Sequence, residues 1–414
     1  MATHDSQNTS FLQRARQFFL ILGGIYVFLV ALGTTPLVQR NLLYMHNLRL
    51  PPFAQYDMPE KYDLAPFKTH NVRIHTADNE TLGAWFTFSD PFYTANKASL
   101  LASPSSSPDP SSPVPTTDVD AYIRNALRTH PTVLFLHGNG GTRALRSRVQ
   151  HYQAFASRLR ANVLAPDYRG FADSTGVPSE VGLSLDALAA WDWLRAHGAA
   201  PENVLVVGNS LGTGVAVQFA SALQELERGE KPQRPRGVVL LAPFSSIETL
   251  LDTYYIMGLV PLLAPLRIFP FISNFVKRFL VHRFDSLSKI VSLKVPLLIV
   301  HAEDDWDIPH VHSETLFDAF LEPHLPTLPE FTAAMAGASE EVAKRMTALA
   351  HERAALRTEL VAVRDMARVG RAEVFARNAA HGEVVFLRTR WGGHERIGLV
   401  EGVQDYMAEM FHLG

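Results

Sequence analysis

The chain contains no cysteine. Disulfides, thiolate metal sites and a cysteine nucleophile are therefore excluded, while the compartment stays open. It also has no excess of charge. Lys and Arg total 38 against 41 Asp and Glu, a formal net charge of -3, and no long basic run occurs. Nothing in that balance offers a nucleic-acid partner an electrostatic footing. A third lack is local: no charged residue falls between Phe18 and Val38. Such a run is long enough to cross a bilayer, which takes about 20 residues. Arg14 and Arg16 precede it, and Gln39 and Arg40 close it. With no polar face it does not read as a helix of a soluble core. It predicts an uncleaved signal-anchor. The small-x-small site Ala31-Leu32-Gly33 keeps a cleaved signal peptide open as the alternative.

Residues 1–17 read as a polar tail, 18–38 as the anchor, 39–66 as a juxtamembrane segment, and 67–414 as one large domain. Apolar residues make up 47% of the chain, ample for its core. Basic residues on the two sides of the anchor nearly balance, so orientation is weakly written. The glycosylation triplet Asn79-Glu80-Thr81 favours a lumenal catalytic domain, in the endoplasmic reticulum or another endomembrane. Asn8-Thr9-Ser10 carries the same pattern on the other side.

Residues 71–75 and 82–86 alternate like a hairpin around that turn. Apolar runs then recur at 131–136, 162–166, 204–207, 237–241, 295–300 and 383–387, with helical patterns such as 184–197 between them. This predicts an α/β fold with a mostly parallel, doubly covered sheet.

The stretch around which the chain is organised is Val204–Ala220. Four β-favouring residues run into Gly208-Asn209-Ser210-Leu211-Gly212, and a helix-like segment follows. This is a G-x-S-x-G elbow in its expected setting. The serine hydroxyl must project from a strained turn, and side chains at Gly208 or Gly212 would strike neighbouring backbone. The Leu211 N–H, at the helix start, can donate to a developing oxyanion. A second donor is expected from the backbone of Asn139, in His137-Gly138-Asn139-Gly140-Gly141 after the 131–136 strand. His137 reads as a support for that loop rather than as a base.

A carboxylate at a later strand end can orient a histidine. Asp304, Asp305 and Asp307, in HAEDDWDIP, compete for that role. No histidine stands at a recognised metal-ligand spacing from them. His394, in WGGHER after the last strand, is placed to reach the serine. The order serine, aspartate, histidine suits this topology.

Three stretches interrupt the pattern. Residues 97–120, rich in Ser and Pro, read as a disordered surface insertion. Residues 245–290 include the proline-punctuated apolar run 256–272 and read as a greasy lid between two core strands. Residues 322–380 read as a helical insertion. Within it Val342, Met346, Leu349, Leu356, Leu360 and Val363 are spaced for one long amphipathic helix over about 337–368. That helix packs on the body by default, with a partner or self-association role as the alternative.

The motifs HGNGG, PDYRGFADSTG, GNSLGTG, HAEDDWDIP and GGHERI together resemble the α/β-hydrolase superfamily over residues 131–400, the insertions apart. The resemblance selects Asp305, through the family pattern H-x-x-x-D-x-x-[VI]-P. DYRGFADSTG, GNSLGTGVA and HAEDD, with the N-terminal membrane segment, are similar to a narrower membrane-anchored branch. It is named for α/β-hydrolase domain-containing protein twelve and comprises lysophosphatidylserine and monoacylglycerol lipases. Ala172 departs from the usual glycine of the RGxG loop, and Asn209 stands where that branch commonly has histidine. The resemblance implies a serine hydrolase of lipid esters, with Ser210 as nucleophile, His394 as base and Asp305 as its orienting acid. That chemistry needs no metal or organic cofactor. The same acyl-enzyme would serve a protein thioesterase or an acyltransferase. A non-catalytic membrane scaffold is the alternative of another class.

Overall fold

The computed structural model describes residues 5–102, 116–226, 233–253, 255–256, 260–261, 270–327 and 340–413. The hairpin read at 71–86 is present as β1 (Thr69–His75) and β2 (Thr81–Thr87). Four parallel strands of the apolar runs follow: β3 (Thr132–Leu136), β4 (Asn162–Pro166), β5 (Val204–Asn209) and β6 (Gly237–Leu241). A short separate ribbon, β7 (Tyr255–Ile256) with β8 (Val260–Pro261), comes next. The main sheet resumes with β9 (Leu297–Ala302), β10 (Val361–Met366), β11 (Gly370–Phe375) and β12 (Val384–Thr389). Its ten strands run in the order β1-β2-β4-β3-β5-β6-β9-β12-β11-β10. From β4 to β12 neighbours are parallel, and both flanks are antiparallel.

The central strands read as unbroken apolar runs because both faces are covered. Val133, Phe135, Leu205 and Val207 point to one face, where they meet Tyr152 and Phe155 of a helix spanning Arg146–Ser157. Leu134, Leu136, Val204 and Val206 point to the other, against Trp191 and Phe219. Trp191 belongs to the helix Glu180–Ala196, opened by Ser179, whose Oγ accepts from the Gly182 N–H. That cap satisfies one of the helix's orphan donors and contributes about 1 kcal/mol.

The N-terminal helix α1 (Asp5–Gly33) is long and apolar enough to cross a membrane over Gln13–Gly33, and none of that span is buried in the protein. The apolar run read as 18–38 is therefore split between two helices, the first ending at Gly33. Pro36 has no N–H to continue a helix and instead opens a second one, α2 (Pro36–Tyr44). The segment read as juxtamembrane packs on the body. Tyr44 is wholly buried in the main core.

The insertions also differ from the sequence reading. Residues 90–102 and 116–129 are helical, so both ends of the stretch read as disordered are ordered, with Leu100 buried. Residues 103–115, the Ser/Pro-rich middle, lie outside the described residues. In the second insertion the helix spans Glu340–Leu360 and stops there. Val361 onward pairs with β11 instead, so Val363 belongs to an edge strand rather than to the helix. Arg368 takes a left-handed φ of 66° in the turn from β10 to β11. The 4-3 apolar stripe is half-buried. Arg353, which breaks it, donates to the Pro326 carbonyl and to Glu322. Of the apolar run 256–272, residues 257–259 and 262–269 lie outside the described residues. Phe271, near its end, and Phe275, Phe279 and Val281 beyond it are exposed.

A buried ion pair ties the loop after β3 to the loop after β4. Arg143 and Asp167 are both fully buried, and Arg143 Nη1 lies 2.7 Å from Asp167 and 2.7 Å from Asp173. Removing one partner of such a pair strands the other charge, at about 3–5 kcal/mol. Arg143→Leu is therefore expected to lower the apparent Tm by several degrees in thermal unfolding, with Arg73→Leu, at the exposed pair to Asp173, close to wild type.

Candidate active site

Ser210 stands between β5 and the helix Leu211–Leu226, at a left-handed φ of 51°. A non-glycine residue there stores strain. The turn is held by Ser210 N–H donating to the Leu241 carbonyl and by Thr213 N–H donating back to the Ser210 carbonyl. Its glycines are steric necessities. A Cβ on Gly208 would lie 2.3 Å from the Gly212 carbonyl oxygen, and one on Gly212 would lie 1.9 Å from that of Leu136. The helix therefore starts hard against the end of β3.

His394 follows β12 in a short helix, Gly393–Arg396, entered through Gly392 at φ 142° and Gly393 at φ 53°. Its Nε2 is 2.8 Å from Ser210 Oγ, and its Nδ1 is 2.9 Å from Asp305 Oδ2. The structure thus brings Ser210, His394 and Asp305 into one hydrogen-bonded line. It also separates the three competing aspartates. Asp305 faces the imidazole. Asp304 Oδ1 accepts the Gly393 N–H at 2.8 Å, fixing the loop that carries His394. Asp307 stays exposed, with its carboxylate, Asp305 and His394 within 4.8 Å of one another.

Asp305 Oδ1 accepts the N–H groups of Asp307 and Ile308, each at 2.9 Å. His301, wholly buried, lies 3.2 Å from Oδ2 through Nε2, which also donates to the Ile308 carbonyl. The sequence pattern included His301 but gave it no task, and the structure makes it a second imidazole on the same carboxylate. Burial alone would raise the Asp305 pKa, but His301 and His394 hold it well below the ordinary carboxylate range. Burial would likewise lower the His394 pKa. The hydrogen bond and charge of Asp305, with Glu395 and Asp307, raise it above the ordinary 6.5.

The loop after β3 passes directly beside the serine. A Cβ on Gly138 would lie 3.3 Å from Ser210 Cβ. His137 supports this loop, as read from the sequence. It is buried against Tyr168 and Phe171, with Nδ1 donating to the Gly138 carbonyl at 2.7 Å. Arg148 Nη2 lies 2.8, 3.1 and 2.6 Å from the carbonyls of Gly138, Asn139 and Gly140. On the other side the N–H groups of Gly140, Gly141 and Thr142 donate to the carbonyls of Tyr44, Leu48 and Leu50. Among the described residues the Asn139 N–H has no partner. Leu211 opens its helix, so its N–H has none within the helix. Neither Arg148 nor the 44–50 segment gave a sequence signal. One is a lone arginine in a helix, and the other acts through its backbone. Ala172, in place of the expected glycine, sits at φ 49°, the left-handed region that explains the usual glycine.

The Alpha/beta hydrolase family model matches residues 133–390. Lysophosphatidylserine lipase ABHD12 of Danio rerio is 30% identical over 309 residues, which are 74% of this chain and 72% of that protein. The Rattus norvegicus lysophosphatidylserine lipase ABHD12 is 30% identical over 302 residues, 72% of this chain and 67% of that protein. Protein ABHD12B of Homo sapiens is 34% identical over 202 residues, 48% of this chain and 52% of that one. An alpha-beta hydrolase from Vibrio vulnificus shares the fold with a TM-score of 0.51, at 16% identity over 91% of this chain and 94% of that one. With the elbow, the parallel sheet and the matched length in agreement, the chain belongs to the alpha/beta hydrolase family.

Proposed function

We propose that this protein is a membrane-anchored serine hydrolase that cleaves the carboxylic ester bond of a monoacylglycerol or lysophospholipid. The observation that carries the reading is the continuous hydrogen-bonded line from Ser210 Oγ through His394 to Asp305. Ser210 Oγ attacks the ester carbonyl carbon while His394 Nε2 takes its proton. Asp305 holds the imidazole in the tautomer that leaves Nε2 free and stabilises the imidazolium. The oxyanion accepts from the N–H groups of Asn139 and Leu211, each supplying about 3 kcal/mol of barrier lowering. Collapse expels the alcohol, which takes the proton from His394. Water, deprotonated by the same histidine, then releases the fatty acid and restores Ser210.

The lipid character rests on the apolar α1 span, the exposed Phe271, Phe275 and Phe279 at and beyond the end of the apolar run 256–272, and the names of the ABHD12 relatives. A lumenal catalytic domain in the endoplasmic reticulum or another endomembrane fits Asn79, which is exposed in the turn between β1 and β2.

Membranes carrying wild type or Ser210→Ala are to be labelled with a fluorophosphonate and assayed on 1-monoacylglycerol and lysophosphatidylserine. Labelling and fatty-acid release are both expected to vanish in the variant. Labelling of wild type without release from either lipid would overturn the lipase reading. Because His394 must be neutral to act and its pKa is raised, kcat/KM is expected to climb with pH through a midpoint above 6.5. Asp305→Asn removes the charge that raises it, so the midpoint shifts to lower pH while kcat falls by about 10⁴. For orientation, wild type is expected to gain gel mobility on endoglycosidase treatment and Asn79→Gln to be insensitive. An insensitive wild type counts against a lumenal domain.

A further inference from the structure

The loop Gly138–Thr142 is gripped peptide by peptide. In a trans peptide the carbonyl and the following N–H point in opposite directions, so fixing one aims the other. The Asn139–Gly140 peptide is held at both ends, its carbonyl by Arg148 and its N–H by the Tyr44 carbonyl. The next peptide is held in the same way, by Arg148 on the Gly140 carbonyl and by the Leu48 carbonyl on the Gly141 N–H. The Gly138–Asn139 peptide is the exception. Its carbonyl takes Arg148 and His137, and its N–H donates to nothing among the described residues. Gly138 itself abuts Ser210. Arg148 is buried, and among the described residues no carboxylate is paired with it. A buried cation must be compensated, and here backbone carbonyls do so.

The opposing grip comes from the membrane side. Residues 36–50 leave α1, bury Tyr44, and pass along the loop's amides. Met45 turns this strap at a left-handed φ of 47°, its N–H donating to the Asn41 carbonyl. Gln39 pins the strap to the far side of the lid region, donating to the Phe279 carbonyl and accepting from the Val281 N–H.

We propose that Arg148 is a positioning residue of the oxyanion site and that the membrane-proximal strap is its opposing jaw, so that the segment leading from the anchor sets the aim of the Asn139 N–H. The proposal rests on the assignment of that N–H as an oxyanion donor. Neither jaw touches substrate. Both act by orienting the loop's peptide planes.

The test uses the full chain in phosphatidylcholine nanodiscs, with 1-monoacylglycerol as substrate. Arg148→Lys keeps the charge on a shorter stem, and Arg148→Met removes the donors. Both are expected to lower kcat, by about 10- to 100-fold as for a displacement near 1 Å, with KM and the pH midpoint unchanged. Met45→Pro cannot adopt the left-handed turn or donate its N–H, whereas Met45→Gly can do both. The proline variant is expected to match the Arg148 variants, and the glycine variant to match wild type. Should Arg148→Met fail to fold, Arg148→Lys and the Met45 pair decide. Wild-type kcat in Arg148→Lys, or equal kcat in the two Met45 variants, overturns the clamp while Ser210-dependent turnover stands. Absence of Ser210-dependent turnover in wild type removes the donor assignment and the clamp together.

Discussion

One close approach governs the rest of the molecule: the start of the Leu211–Leu226 helix lies against the end of β3. Gly212 has no room for a Cβ beside the Leu136 carbonyl, and Gly208 has none beside Gly212. This contact puts the strained serine turn and the Gly138 loop side by side. Two groups from different crossovers can then address one carbonyl. Widening the gap by a single methyl would draw Ser210 away from the Asn139 N–H proposed as an oxyanion donor, even with every polar residue in place. Catalytic geometry here is first a matter of backbone packing, with hydrogen bonds added to it.

The electrostatic design is centred on Asp305. Two backbone N–H groups and two imidazoles converge on it. A carboxylate so well compensated stays ionised despite its burial. It can therefore stabilise a protonated His394 without taking the proton. His301 is itself fixed by the Ser313 hydroxyl at 2.6 Å and by the Ile308 carbonyl. Asp305 is thus oriented by His301, and the loop carrying His394 by Asp304 through Gly393.

Much of this was legible in the sequence. The parallel strands announced themselves as apolar runs because burial on both faces removes polar alternation. The elbow was written in its glycines, and the order of Ser210, Asp305 and His394 along the chain matched the topology. Among neighbouring aspartates, only the resemblance to a known pattern singled out Asp305, since three carboxylates within four residues differ by backbone direction and not by type. The β10–β11 hairpin was missed because Val363 happens to continue a helical spacing that had already ended at Leu360. Arg148 and the strap were invisible for a deeper reason. Carbonyls and amides are common to every residue, so a contact made through them leaves no mark in side-chain identity.

That hairpin has a consequence for where the protein is soft. Sheets loosen from their margins, because an outer strand keeps its ladder on one side only. With β11 and β10 appended, β12 is hydrogen-bonded on both sides, to β9 and to β11. The strand that delivers the histidine therefore lies two places in from the margin, next to the one that delivers the aspartate. Fraying is left to β10, where Arg364 and Asp365 stand exposed and discourage pairing with another chain. The strands that carry Asp305 and His394 are thus both held on two sides, and neither is the one left to fray.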